Sequence, residues 1–295
     1  MICILSSNDY SNLGFSWAES LRSIGVDCKD LVLQKHSLYP RQSQVASMGR
    51  MIATCRDAEV IIVMHSSDQI YDQIKDLGKR IVVSHTGTRY RENHIALNQK
   101  FKGCITLSDQ TEFMHLGDHK YITAPIELQP APLYNGLLKV IGHYPSNAFV
   151  KGTDKIIEML EQFRGRFKWN YSHNLVSHDA QLRRMQDCDI YIELFKPELR
   201  GKPYGCFGVT ALEAAAMGKI VLTNNIYPKV YEDAYGKSPF TVVNTEQEFI
   251  NIIRGLLSMD QNTFKNIQKE TIEITKENHN FVSTANRLVK IIYGY

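Results

Sequence analysis

No stretch of this chain stays apolar for long. The longest hydrophobic runs, such as Val60 to Met64, fall far below the ~20 residues needed to cross a bilayer, which excludes an α-helical membrane span. A basic leader is also lacking. Met1-Ile2-Cys3-Ile4-Leu5 is apolar but short, so no secretory signal is expected and the cytoplasm is the expected compartment. Cysteine is sparse and scattered: among Cys3, Cys28, Cys55, Cys104, Cys188 and Cys206, no pair has the two-residue spacing of a zinc or redox motif. They read as reduced thiols, mostly buried. Net charge is nearly absent too, at +3. That value suits a protein that handles anionic phosphates and does not demand nucleic acid or a membrane. No repeat and no low-complexity tract is visible.

What is present is a globular balance, 43% hydrophobic and 22% charged over 295 residues, enough for about two domains. Short apolar strands alternate with amphipathic helices. Ile2 to Leu5, Asp30 to Leu33, Val60 to Met64, Arg80 to Ser84, Gly103 to Leu107 and Tyr121-Ile122 read as strands without polar alternation. Such strands are buried on both faces, and helices between them imply parallel pairing. Pro125, Pro130 and Pro132 then break the pattern. It resumes with strands at Leu138 to Gly142, Phe167 to Tyr171, Asp189 to Leu194, Ile220 to Leu222 and Phe240 to Val243. The fold class is α/β, two Rossmann-like, doubly wound parallel-sheet domains in series, 1–130 and 131–276. The last stretch, 277–295, reads as one amphipathic helix. Open sheets of this kind bind ligands beyond the carboxyl ends of their strands, so a cleft between the domains is the expected site.

The most informative segment runs from Tyr204 to Thr223. Gly205-Cys206-Phe207-Gly208 opens a short alanine-rich helix that Gly218 closes before a buried strand. A helix start offers backbone N–H groups and the positive dipole end to a diphosphate, and glycine allows close approach. Glu213 lies one turn in, where a carboxylate can accept ribose hydroxyls. A packing helix with a tight glycine turn would look the same.

This segment resembles the donor-site signature of the large retaining GT-B family known as family four. There the pattern reads Glu, x, Phe, Gly, three variable residues, an apolar residue, Glu, Ala, then Gly and an apolar strand. Phe207, Gly208, Leu212, Glu213, Ala214, Gly218 and Val221 match; the first glutamate is Gly205 here. A second match begins the second domain, where Lys139 to Gly142 leads to Lys151-Gly152. His143 stands where arginine is common. The resemblance implies that Lys151 neutralises the diphosphate, with Arg200 or Lys202 supplying further charge.

Ser84-His85-Thr86-Gly87-Thr88-Arg89 is similar to the family's His-Gly-Thr loop, and His85 is expected to aim at the cleft and touch the donor sugar. Gly14 would meet the β-phosphate, Val209 belongs to the phosphate-binding helix start, and Val176 would contact the base through its backbone. The terminal helix is expected to cross back onto the first domain. Asp187-Cys188-Asp189 reads as the start of a strand rather than a metal site, and Phe163 to Trp169 as a helix end rather than a nucleic-acid patch.

The resemblance thus implies a metal-independent hexosyltransferase without a cofactor. It would move sugar from a nucleotide diphosphate donor in the second domain to an acceptor glycan, lipid or other hydroxyl compound on the first, with retention. The alternatives are a catalytically silent sugar-nucleotide or glycan-binding protein, a sugar-nucleotide epimerase, and a transferase acting on modified DNA bases.

Overall fold

The computed structural model describes residues 1–129 and 131–294. They form two compact units. Unit 1 contains Met1–Ile126 and His279–Tyr295, and unit 2 is Glu127–Asn278. Of the linker prolines, Pro130 lies outside the described residues.

Unit 1 is built on β1 (Ile2–Asn8), α1 (Leu13–Ser23), β2 (Cys28–Gln34), β3 (Gln44–Val45), α2 (Met48–Arg56), β4 (Val60–Val63), α3 (Asp68–Ile74), β5 (Arg80–His85), α4 (Gly87–Lys100), β6 (Ile105–Ser108) and β7 (Lys120–Tyr121). The strand order is β3-β2-β1-β4-β5-β6-β7, all parallel. Cys3, Leu5, Ile61, Val63 and Val83 are fully buried, as strands without polar alternation require. The order reverses direction between β1 and β4, which opens a crevice at their carboxyl ends.

Unit 2 follows with β8 (Val140–His143), α5 (Ala148–Lys151), α6 (Thr153–Glu161), β9 (Lys168–Tyr171), α7 (His178–Gln186), β10 (Ile190–Leu194), a hairpin of β11 (Glu198–Leu199) and β12 (Lys202–Pro203), α8 (Val209–Ala216), β13 (Ile220–Thr223), α9 (Pro228–Tyr235), β14 (Phe240–Val242), α10 (Glu246–Ser258) and α11 (Gln261–His279). Its sheet is parallel in the order β14-β13-β10-β8-β9, with the reversal between β8 and β10.

The terminal helix differs from the single one expected. α11 ends at His279, and α12 (Phe281–Tyr293) starts afresh at Asn280, whose side chain accepts the Ser283 amide. Asn280 is a helix cap, and its extended backbone, with ψ at 163°, ends one helix and begins the next. α12 belongs to unit 1. Ser20 of α1 donates to Phe281 O at 2.5 Å, and Arg80 of β5 donates to Ile292 O at 3.0 Å. His279 is fully buried between them: Thr123 Oγ1 lies 2.8 Å from its Nδ1, and Ile126 N donates to its carbonyl.

All six cysteines are free, and five are buried. Among the described residues no helix is long and apolar enough to cross a membrane.

Candidate active site

In unit 2 the reversal between β8 and β10 gathers a charged cluster. Lys151 ends α5, whose C-cap is Gly152 at φ 70°. Only glycine fits there, because a Cβ would stand 1.9 Å from Phe195 O. Lys151 Nζ meets Glu193 Oε1, on β10. The other oxygen of Glu193 accepts Thr210 Oγ1 at 2.8 Å. Glu193 is buried (2% exposed), and its pKa is nonetheless lowered: burial acts to raise it, but the Lys151 charge and hydrogen bonds from Lys151 and Thr210 outweigh that. Gly208 stands against this pair; a Cβ there would be 3.1 Å from Glu193 Oε1 and 4.0 Å from Lys151 Nζ.

Gly208 is also the N-cap of α8, and among the described residues no side chain caps that helix. Its first amides have no partner inside the helix. Gly208, Val209 and Thr210 are half-buried and remain accessible. One turn on, Glu213 Oε1 lies 2.6 Å from His178 Nε2, while its buried Oε2 has no hydrogen-bond partner among the described residues. The His178 pKa is raised: burial would lower it, but the hydrogen bond and charge of Glu213 prevail. Val176 is half-buried in the loop just before α7.

Three residues of unit 2 behave otherwise than their sequence positions suggest. His143 supplies no charge at the site. It is fully buried, its Nδ1–H donates to Ile192 O at 2.7 Å, and its Nε2 accepts from Thr153 Oγ1 at 2.9 Å. Burial pushes its pKa down to about 4, so the ring is a neutral strut between strand and helix. Phe207 turns its ring into an aromatic core, 4.3 Å from Phe240 and 5.7 Å from Tyr231. Gly205, where the resemblance led us to expect glutamate, has φ 144°, and a Cβ there would fall 1.7 Å from Asn224 Nδ2. That amide is committed: Nδ2 donates to Tyr204 O at 2.7 Å and Oδ1 accepts Lys196 N at 2.7 Å. Any side chain at this position is excluded on steric grounds. Arg200 and Lys202 are exposed on the hairpin before α8, whose two turn residues, Arg200 and Gly201, both have positive φ.

Unit 1 has its own pocket of about 550 Å³ at the carboxyl edge of its sheet. Ser7, Asn8, Tyr10, His65, Thr86 and Asp109 are among the residues that line it. Here the predicted histidine is misplaced. His85 is fully buried, stacks on Tyr90 at 4.2 Å and shares a hydrogen bond with Ser66 Oγ through Nδ1 at 2.8 Å. Burial lowers its pKa to about 3, and it does not reach the pocket. His65, although largely buried itself, is the histidine that lines the pocket. Its Nε2 lies 3.2 Å from Asp9 Oδ1 and its Nδ1 2.6 Å from Thr86 Oγ1. Asp9 can only accept, so Nε2–H donates to the carboxylate, and Thr86 Oγ1 shares a hydrogen bond with Nδ1. His65 and Ser66 both have positive φ, at 56° and 54°. That conformation is uncommon in non-glycine residues and costs energy that the surrounding structure must offset.

Gly14 does not offer its amide to a ligand. Its N–H donates to Asp9 Oδ1 at 2.8 Å, and Phe15 N donates to Asp9 Oδ2 at 2.9 Å. Asp187-Cys188-Asp189 is structural on one side at least, since Asp189 accepts the Val140 amide at 2.8 Å.

No protein-family model matches this chain, and no curated protein matches it by sequence. Solved structures do. The Anabaena protein HepE in complex with UDP-glucose aligns with a TM-score of 0.71 at 12% identity, covering 100% of both chains. The fold is GT-B. Sucrose-phosphate synthase from Thermosynechococcus elongatus has a TM-score of 0.63 at 10% identity, covering 100% of this chain and 98% of that one. AviGT4, a glycosyltransferase involved in avilamycin A biosynthesis, has a TM-score of 0.57 at 12% identity, covering 100% and 99%. This GT-B chain therefore has two Rossmann-like domains, and the strand reversal in each falls where its polar residues gather.

Sequence reasoning missed Glu193, His178 and His65. Glu193 lies inside the apolar run Ile190 to Leu194 and looked like part of a strand. The signal available for it was a lone carboxylate at the carboxyl end of a buried strand.

Proposed function

We propose that this chain is a glycosyltransferase that moves a sugar from a nucleoside diphosphate donor, held by unit 2, to a hydroxyl of an acceptor held by unit 1. The observation that carries this reading is the start of α8: a helix without a side-chain cap, with Lys151 Nζ at its glycine. A diphosphate laid there meets backbone N–H groups, the positive end of the helix dipole and a cation. Glu213, one turn inside the helix, is the carboxylate that accepts a ribose hydroxyl, and Val176 supports the base. Arg200 and Lys202 add charge from the hairpin. The GT-B likeness to HepE, solved with UDP-glucose, supports the donor class.

As the sugar departs, charge grows on the phosphate oxygen. A positioned helix start and Lys151 stabilise that charge more than they stabilise the bound donor. The acceptor hydroxyl gives its proton to the leaving phosphate, and configuration is retained. The pocket of unit 1 suits an uncharged hydroxyl-bearing acceptor. Thr86 contributes a hydroxyl to its wall, and Arg89 is paired with Asp68 at 2.6 Å. Chemistry needs neither a cofactor nor a metal in this reading, supported by Asp189 being committed to a backbone amide. Free thiols support the cytoplasm as its compartment.

One alternative has specific support. With no side chain possible at Gly205 and a neutral His143, a silent sugar-nucleotide-binding protein would look the same at these two positions. The test is thermal melting with UDP, GDP and ADP at millimolar concentration, followed by donor hydrolysis. A ligand that prefers the native state raises the melting point. No shift with any of the three would remove both readings. A shift without slow hydrolysis of any matching nucleotide sugar would favour the silent protein.

A further inference from the structure

The carboxylate beside Lys151 stands where a negative charge is least expected in an anion site. Glu193 is buried at the carboxyl end of β10, with Lys151 Nζ on one oxygen and Thr210 Oγ1 on the other. It also lies against the loop at Gly208, 3.1 Å from where a side chain would begin. Before any ligand arrives, the cation of the donor site is already matched by a fixed anion.

We propose that Glu193 is a positioning residue that discriminates between donor and product: it holds Lys151 at the start of α8 and weakens the hold on nucleoside diphosphate after transfer. This rests on the donor site proposed above. In the nucleotide sugar each phosphate carries one charge. When the bond between the sugar and the terminal phosphate breaks, that phosphate keeps only its anhydride link and takes a second charge, with a pKa of about 6 as for other terminal phosphates. The added charge is on the phosphate that Lys151 faces. Lys151 attracts it, and Glu193 repels it through the same short path. The carboxylate therefore subtracts little from donor binding and more from product binding. A lysine alone would grip the product tightest of all, and slow release commonly limits turnover.

The experiment is calorimetric binding of UDP and of UDP-glucose to the full chain and to Glu193→Gln, with GDP and GDP-mannose, and ADP and ADP-glucose, measured in parallel. Glutamine keeps the size and removes the charge. UDP binding is expected to tighten roughly tenfold in Glu193→Gln, while UDP-glucose changes by less than about threefold. Glu193→Asp keeps the charge and is expected to keep the wild-type ratio of the two affinities. A loss of folding alone would weaken both ligands together and show in the melting curve. If Glu193→Gln shifts both ligands by the same factor, or neither, the inference is overturned while the donor site stands. If the wild-type chain binds no nucleotide at all, the donor site falls and takes the inference with it.

Discussion

Helices α1 and α8 begin alike and end up with opposite chemistry. Each starts at the carboxyl edge of a parallel sheet, beside the strand reversal, and each has a glycine in or next to its first turn. At α1 the chain supplies its own anion: Asp9 accepts the amides of Gly14 and Phe15, and its Oδ1 also faces His65. At α8 no side chain caps the helix, and the nearest carboxylate, Glu193, is held off by Lys151 and Thr210. A glycine at a helix start therefore does not by itself make an anion site. What decides is whether a carboxylate of the same chain already fills the positive end of the dipole.

The contrast depends on the loop that leads into α8, and disturbing that loop should give the largest effect. Restoring the glutamate of the resembling family by Gly205→Glu forces a Cβ into Asn224 at a left-handed φ. We expect a loss of about 4 kcal/mol or more in urea unfolding, with Gly205→Ala nearly as costly. A Gly205→Glu protein that is stable would show that this backbone adapts.

Next in size is a paired substitution. Asp9→Ala should destabilise the fold by about 2–3 kcal/mol, since two amides lose a charged acceptor, and should leave nucleotide affinity unchanged. Lys151→Ala should instead lower kcat by roughly 10²-fold, and, because it leaves the buried Glu193 carboxylate without its cation, it should also cost stability, on the order of a few kcal/mol. Loss of nucleotide binding in Asp9→Ala would return α1 to the list of donor contacts.

The smallest effect concerns His178. Its pKa is raised in the folded chain by Glu213. The pairing therefore contributes in full below the unfolded value, about 6.5, and is lost as pH rises through the folded value. Between pH 6 and pH 8 this contribution to stability should fall, on the order of 1 kcal/mol or less, and His178→Asn should remove that dependence. A profile unchanged by the substitution would mean that His178 is not charged there.

Much of this fold was legible in the residues. Ile2 to Leu5 and Val60 to Met64 could only be buried strands, and the sheets contain them. That Gly208 opens a helix with Glu213 one turn inside it was legible, because a glycine turn before an alanine-rich run has a local cause, and the place of Lys151 came from the family resemblance. What failed was anything set by tertiary partners. His85 and His143 ended strands at the expected edge, yet their rings turned inward because Ser66, Thr153 and Ile192 O offered hydrogen bonds there. Gly14 looked like a phosphate turn until Asp9, five residues earlier, folded back on it. Asn280 broke a helix whose apolar spacing ran straight through it, since a cap is a matter of one backbone angle.

The return of α12 to unit 1 also orders events during synthesis. Unit 1 is split in the chain: its last helix is made only after the whole of Glu127–Asn278 has been synthesised. At about 5–20 residues per second that delay is on the order of 10–30 s. Unit 2 is contiguous and can close on itself as it emerges. Unit 1 waits, with the face of α1 around Ser20 and the pocket made by Thr123 and Ile126 lacking the helix and the buried His279 that complete them. Of the two units, the one begun first is thus completed only by the segment made last, and until then its unfinished face stays uncovered.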